Sequence, residues 1–448
     1  MTPKVSIVMP LYNAGKYLEE SLVSVLNQTL SEFELICIND ASTDDTMSIL
    51  QKFAARDERI KILINDERSG AAYSRNRGIK AAVGKYLSFL DGDDIFEEEM
   101  LDCAYREAEQ DSADIVIFEV EHCPSDDIHT KRYVIHSDAF LNRYCNKPFK
   151  IQEHMPYEFM NWKLGPVNKL YNREFIVNNN LEFQTLSCSN DVYFVFMVLA
   201  LSDKIRYLRD SRVMIYARDH NEPSRISYNR DPMCSYLAFL QIVKELKQRN
   251  KLADVYPQYY YQFFFSVRDA LFRCKREEDK IKFYEFLRNE GIDEICSYGQ
   301  EYYGQLNTYI RDLLEQFKTN TYESQWYREE HGLLIQLSEE ANAEAVRNLF
   351  NNCKYENKTV CIWGAGANGV SLLNFCTENE LDVNIVVDKS KEKQGKVING
   401  YPINPIESLG DNIKVVIVTA RYIVESVRAQ LSGKEAEIID INEYLAIY

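Results

Sequence analysis

Short apolar runs alternate with helix-period segments from the first residues of this chain, and that alternation limits the folds open to it. Val5-Ser6-Ile7-Val8-Met9 is β-branched, and Pro10 ends it. Leu18, Leu22, Val25 and Leu26 then recur at helical spacing. Leu35 to Ile38 is a second strand, and the cap-rich turn Ala41 to Thr46 opens a helix with Ile49, Leu50 and Phe53 on its apolar side. Ile60 to Leu63 and Tyr86 to Leu90 continue the series. Such a pattern predicts a mostly parallel sheet with helices on both faces, an α/β class. Three of these strands end in polar loops: Tyr12-Asn13, Asn39-Asp40 and Asp91-Gly92-Asp93-Asp94. Ligands of open α/β sheets sit at such strand ends. The hard oxygens of Asp91 and Asp93 suit Mg²⁺ or Mn²⁺ completed by water and phosphate, although an acidic Asp-Gly turn is also an ordinary solvated loop.

Four segments in order carry a resemblance. Val8 to Asn13, Asn39 to Thr46, Ser69 to Gly78 and Asp91 to Asp94 are similar to the signatures of family-two glycosyltransferases, the inverting class with the A-type fold. The resemblance implies a mixed, mostly parallel Rossmann-like sheet and a nucleoside diphosphate sugar donor, most often a uridine one. It puts Pro10, Tyr12 and Asn13 around the base, Asp40 on uracil or ribose, Asp91 near ribose and metal, and Asp93 on the metal. Arg75 would pair with phosphate or, equally, make a salt bridge on a helix surface. Further on, Asn161 to Tyr171 resembles the Asn-Lys-Leu segment of bacterial members. Ser189-Asn190-Asp191 stands where members carry an acidic pair; Asn190 replaces the first acid and Asp191 is kept as the candidate general base. The alternative for Asp191 is a plain helix N-cap before Val192 to Leu201. An acceptor hydroxyl deprotonated as it attacks gives single displacement with inversion and needs no covalent intermediate.

Other chemistries lack their residues. The chain has no Gly-x-x-x-x-Gly-Lys-Ser/Thr, His-Glu-x-x-His or Gly-x-Ser-x-Gly, and its six histidines are scattered. His220 lies where related enzymes often place a basic or polar loop over the diphosphate, and is otherwise a surface histidine. A net charge of −17 argues against general nucleic-acid binding. Eleven cysteines without Cys-x-x-Cys point to thiols in a reducing cytosol, with 37, 103, 188, 234, 296, 361 and 376 in apolar or helical segments. The chain enters its first strand at once, with no room for a signal peptide, and holds no apolar run of about eighteen residues. The expectation is a cytoplasmic protein, at most peripheral at a membrane.

Three parts are expected: a transferase over 1–226, a helical linker over 227–352 and a small Rossmann-like α/β domain over 353–448. In the helical part Leu237, Leu240, Val243 and Leu246 keep a three-to-four spacing, and the dense run Tyr256 to Phe265 is either an aromatic core or a surface for a lipid-linked acceptor. In the tail a strand, Gly364-Ala365-Gly366-Ala367-Asn368-Gly369, a helix and a second strand ending at Asp388 follow one another. That order fits a nucleotide-binding unit, with Gly364, Gly366, Gly369 and Asp388 as candidates and NAD one of its ligands. The tail also resembles small domains attached to sugar-modifying acyltransferases and methyltransferases, where such a loop binds a nucleotide sugar or only docks another domain. The expected activity is transfer of a sugar to a surface polysaccharide or a lipid-linked glycan, with self-association open. The other readings are a bifunctional enzyme acting through the tail and a non-catalytic donor-binding scaffold.

Overall fold

The computed structural model describes residues 2–124, 144–145, 147–153, 164–208, 214–219, 231–274, 276–306, 308–319, 340–365, 367–391, 393–398, 400–410, 412–419, 427, 431 and 436–441. Contacts divide the chain into two compact units, Met1–Thr319 and Asn320–Tyr448. His220, Gly366 and Asn161 to Lys163 lie outside the described residues, as does most of the stretch from Glu119 to Trp162.

In the first unit β1 (Val5–Leu11), β2 (Phe33–Asn39), β3 (Ile60–Ile64) and β4 (Tyr86–Phe89) are separated by α1 (Gly15–Leu26), α2 (Thr46–Ala54) and α3 (Ala71–Ala81). β5 (Ile95–Phe96), α4 (Met100–Asp111), β6 (Ile115–Ile117) and β7 (Val120–Pro124) follow. Next come β8 (Lys169–Asn172), α5 (Arg173–Asn178), α6 (Val192–Leu201), β9 (Ile205–Tyr207) and β10 (Ile215–Asp219). Seven strands form one sheet in the order β3-β2-β1-β4-β8-β6-β9. Its first four strands are parallel, and β8 runs antiparallel to both β4 and β6. Nearly every residue of β1 and β2 is buried, as expected for strands covered on both faces, and this explains why both appear in the sequence as unbroken apolar runs. A second small sheet is ordered β5-β10-β7, and its strand β5 directly follows the Asp91–Asp94 loop in the chain.

The helical stretch belongs to this same unit. α7 (Pro232–Gln248), α8 (Leu252–Arg273), α9 (Glu277–Phe286), α10 (Ile292–Ser297) and α11 (Thr308–Thr319) build it. Non-helical Val255, two residues before Pro257, marks a kink inside α8, the expected result of a ring that removes one hydrogen bond. Phe196 of α6 meets Phe239 of α7 and Tyr259 of α8 edge-on, both at 6.1 Å, so the transferase half and the helices share aromatic packing. Tyr256, Tyr259, Tyr260, Phe263 and Phe264 are all buried, and the Tyr259 hydroxyl donates to the Phe239 carbonyl at 2.9 Å. These aromatics are a core. The buried face of α7 runs through Tyr236, Phe239, Val243 and Leu246; Leu237, assigned to that face by spacing, is exposed. No described helix is long and apolar enough to cross a membrane.

The second unit holds α12 (Glu340–Tyr355), β11 (Thr359–Trp363), α13 (Ala367–Glu378), β12 (Ile385–Val387), β13 (Val397–Ile398), β14 (Tyr401–Asn404), β15 (Ile413–Val418) and β16 (Glu437–Asp440). Its six strands are ordered β13-β14-β12-β11-β15-β16, parallel except for the β13–β14 pair. If the aromatic helices are a true core, Phe239→Ala should lower unfolding free energy by about 3–5 kcal/mol in denaturant titration of the full chain. A loss under about 0.5 kcal/mol, normal for a surface change, would contradict the packing.

Candidate functional site

The register of the parallel strands assembles the site. Leu11 pairs with Asn39 and Asn39 with Ile64, so Tyr12, Asp40 and Asn65 leave the sheet side by side. Asp40 is buried, yet no cation is bonded to it in this network. Its Oδ1 accepts the Ser69 amide at 2.9 Å and Asn65 Nδ2 at 2.5 Å, and its Oδ2 accepts the Gly70 amide at 2.7 Å. Gly70 caps α3, so the carboxylate occupies that helix's positive end. Asp44 does the same for two helices: its Oδ2 accepts the Gly15 amide at the start of α1, and its Oδ1 accepts Thr46 N at the start of α2. Burial works against the Asp44 charge, but the Thr46 and Gly15 hydrogen bonds outweigh it and hold the carboxyl below its usual range. Asn13, in the left-handed region at φ 50°, ties the two loops together by accepting Thr43 N on its side-chain oxygen at 2.8 Å. The Tyr12 ring is exposed, with the Arg68 guanidinium 4.1 Å over its centre.

The acidic loop after β4 is divided by its partners. Asp91 Oδ1 accepts Arg75 Nη2 at 3.0 Å, and the Asp91 side chain is 42% exposed. Arg75 is buried rather than on a helix surface; its guanidinium lies 5.4 Å over the Phe183 ring, and its Nε makes no hydrogen bond. Asp93 is partly exposed. Asp94 is buried, with Oδ1 accepting the Arg218 amide at 3.0 Å. Arg218 clamps the loop further: Nε donates to the Asp93 carbonyl at 2.9 Å, Nη2 reaches Glu20 Oε2 at 2.5 Å, and the guanidinium covers Tyr17 at 4.4 Å. A Cβ on Gly92 would stand 2.2 Å from Leu11 Cδ2, so any larger residue there must displace the Leu11 side chain. No cluster of three or more His, Cys, Asp or Glu suited to a metal exists among the described residues. An ion that takes one or two carboxylates and draws its other ligands from phosphate and water, as Mg²⁺ and Mn²⁺ do, needs no such cluster.

Asp191 stands at the N-cap position of α6, but its side chain makes no capping hydrogen bond. Its surroundings connect it to the rest. Burial pushes the Tyr171 phenol well above its ordinary value, while the charge of Arg75 pulls it down and that of Asp191 pushes it up, so both groups act on one ring. Phe183 and Phe194 stack at 4.1 Å between the Arg75 side and α6. In the Asn-Lys-Leu segment, the Lys169 ammonium is buried and donates to Gly165 O and Asn168 Oδ1, which closes the turn before β8. Three residues of this region carried no sequence expectation. Asn65 follows β3 as Asp40 follows β2, a signal open to inspection. Arg68 and Arg218 act on partners far along the chain and gave no local signal.

In the tail, Gly364 has φ +106°, and a Cβ on Gly369 would lie 1.8 Å from the Gly364 oxygen. Asp388 is buried beside this turn; Oδ2 accepts the Ala365 amide at 2.7 Å and Oδ1 accepts Ser390 N at 2.8 Å. Burial raises its carboxyl, the two amides and Lys393 lower it more, and the balance leaves it below the usual range.

The pneumococcal glycosyltransferase GlyG is 30% identical over 235 residues, which span 51% of this chain and 75% of GlyG. The chain belongs to glycosyltransferase family 2. The family model described as glycosyl transferase family 2 matches residues 6–169, from β1 to the start of β8. An uncharacterized glycosyltransferase of Escherichia coli K12, YibD, is 27% identical over 70% of this chain and 89% of its own length. Staphylococcus aureus TarS, solved with UDP-GlcNAc, superposes with a TM-score of 0.57 at 21% identity, over 70% of this chain and 87% of that one. The A-type fold of this family-two glycosyltransferase is thereby shown. Residues 334–436 match the model of a C-methyltransferase C-terminal domain, not a dinucleotide-binding one.

A depressed carboxyl stabilises the fold above its unfolded pKa of about 3.9, and that stability is lost as pH falls through the folded value. Asp388→Asn should therefore lower the thermal stability of the tail at pH 7 and flatten its acid limb below about pH 4, so that variant and parent converge in acid. Unchanged acid sensitivity would remove Asp388 from this role.

Proposed function

We propose that this enzyme transfers a sugar from a uridine diphosphate donor to a hydroxyl of a growing glycan, with inversion and with a divalent ion held by Asp91 and Asp93. One observation carries the metal dependence. The starts of α1, α2 and α3, which follow the three strands at the site, already hold the chain's own carboxylates Asp44 and Asp40. Helix ends that would otherwise receive phosphate are taken, which leaves neutralisation of a leaving diphosphate to cations. A divalent ion at Asp91 and Asp93 would supply that neutralisation. Arg75, with Nε uncommitted beside Asp91, adds a fixed donor for the nucleotide. Tyr12 offers an exposed ring for the base, and Pro10 and Asn13 border it. Asp40 acts by holding the Ser69-Gly70 turn and Asn65, with lone-pair capacity left for a ribose or base N–H or O–H. Asp191 removes the acceptor proton as the hydroxyl attacks, from the N-cap position of α6. The donor in the solved TarS complex, UDP-GlcNAc, is the first candidate.

We further divide the chain into the transferase over 1–226, the helices over 227–352 and the tail over 353–448. For the tail, docking is favoured over nucleotide or NAD binding. The Ala365 amide, which would face a phosphate, is bonded to Asp388, and a second anion there would meet that carboxylate.

Asp191→Asn should lower transfer by about 10²–10⁴-fold and leave donor affinity within about twofold. Asp93→Ala should remove Mn²⁺-dependent donor stabilisation. Full transfer by the Asp191→Asn protein would exclude it as base.

A further inference from the structure

The loop that precedes Asp191 is fastened to the first turn of α7 at three successive residues. Ser187 Oγ lies 3.2 Å from Cys234 Sγ, Cys188 Sγ donates to the Asp231 carbonyl at 3.4 Å, and Ser189 Oγ lies 3.1 Å from Ser235 Oγ. The Cys234 amide donates to the same Asp231 carbonyl at 3.1 Å, so Cys188 and Cys234 meet at one backbone oxygen. Ser189 is in the left-handed region at φ 52°, a conformation a serine holds only when its surroundings fix it. Asp191 follows two residues later, so the position of the candidate base depends on this seam.

We propose that Cys188 and Cys234 are a thiol modification site, closed to a disulfide by a low-molecular-weight disulfide and reopened by thiols, which controls the position of Asp191. The control half rests on the reading of Asp191 as base. Cys234 suits the attacking role. It is in the first turn of α7, where the helix end favours a thiolate, and the Cys188 hydrogen bond lowers its pKa against the opposing effect of burial. Cys37, Cys361 and Cys376 differ: burial alone pushes each up to about 12. A groove of about 330 Å³ lined by Asp231, Pro232, Met233 and Arg276 opens at the residues just before Cys234, which does not itself line it.

The chemistry balances. The Cys234 thiolate attacks one sulfur of the small disulfide, forming a mixed disulfide and expelling one thiolate. Cys188, losing its proton, then attacks the Cys234 sulfur and expels the second. The protein loses two electrons and two protons, and the small disulfide is reduced to two thiols. A covalent S–S bond of about 2.05 Å draws the sulfurs inside hydrogen-bonding distance. The loop follows, three residues from Asp191. A displacement near 1 Å at a reacting group lowers the rate by about 10²-fold.

The test treats the full chain with glutathione disulfide, then with dithiothreitol. It follows the Cys188–Cys234 peptide link by mass mapping, UDP release from UDP-GlcNAc with Mn²⁺, and stabilisation by that donor. The expected result is a Cys188–Cys234 link, release lowered by about 10²-fold, unchanged donor stabilisation, and recovery on reduction. Cys234→Ala and Cys188→Ser proteins should form no link and keep their rate under oxidant. Absence of the link, a link without loss of rate, or equal loss in both variants overturns the proposal. If the Asp191→Asn protein retains its rate, the base assignment fails separately, and the peptide map still decides the disulfide.

Discussion

Two carboxylates in the loop after β2, the buried Asp40 and the exposed Asp44, hold the site of this enzyme in shape. Asp40 binds the turn that opens α3, and Asp44 binds the starts of α1 and α2. Each replaces solvent around helix-end amides with a fixed anion, which is a favourable use of the helix dipole and a strong set of hydrogen bonds. The consequence reaches the chemistry. With those amides committed, the proposed function gives the neutralisation of a diphosphate to a cation at Asp91 and Asp93, whose loop Arg75 and Arg218 hold by hydrogen bonds.

The helices beyond residue 231 extend the transferase rather than hang from it. Phe196 couples α6 to the aromatic core of α7 and α8, so the element that begins at Asp191 is anchored by packing at its far face. The loop at its near end is held by side chains of α7. The proposed donor loops and the proposed base, Asp191, thus have separate supports. A change in the α7 seam can alter transfer without altering donor binding. In the second unit the same device recurs on a smaller scale, with Asp388 closing the glycine turn through the Ala365 amide.

Much of this was legible in the residues. β1, β2 and β4 are continuous apolar runs because both faces are covered, and each ends in the polar loop that carries the site. β3 is a strand at the sheet's edge with partly exposed residues, and Asn65 beyond it drew no attention although its register with Asp40 places it in the network. Arg218 could not be found by local pattern, since its partners Asp93, Asp94 and Glu20 are distant in sequence. Arg75 was open between phosphate and a surface pair; it is buried against Phe183 and bonded to the partly exposed Asp91 of the acidic loop. Helical spacing placed Leu237 on the wrong side of α7, because the aromatic neighbours Tyr236 and Phe239 take the core instead.

The central claim is that a cation must complete this acidic edge before donor binds. The most direct measurement is thermal stability of the full chain against a panel of nucleotide sugars, with Mn²⁺ and with a chelator, since a ligand raises apparent stability by mass action. The account predicts stabilisation by a uridine diphosphate sugar that disappears with the chelator. Equal stabilisation without a divalent ion would contradict it.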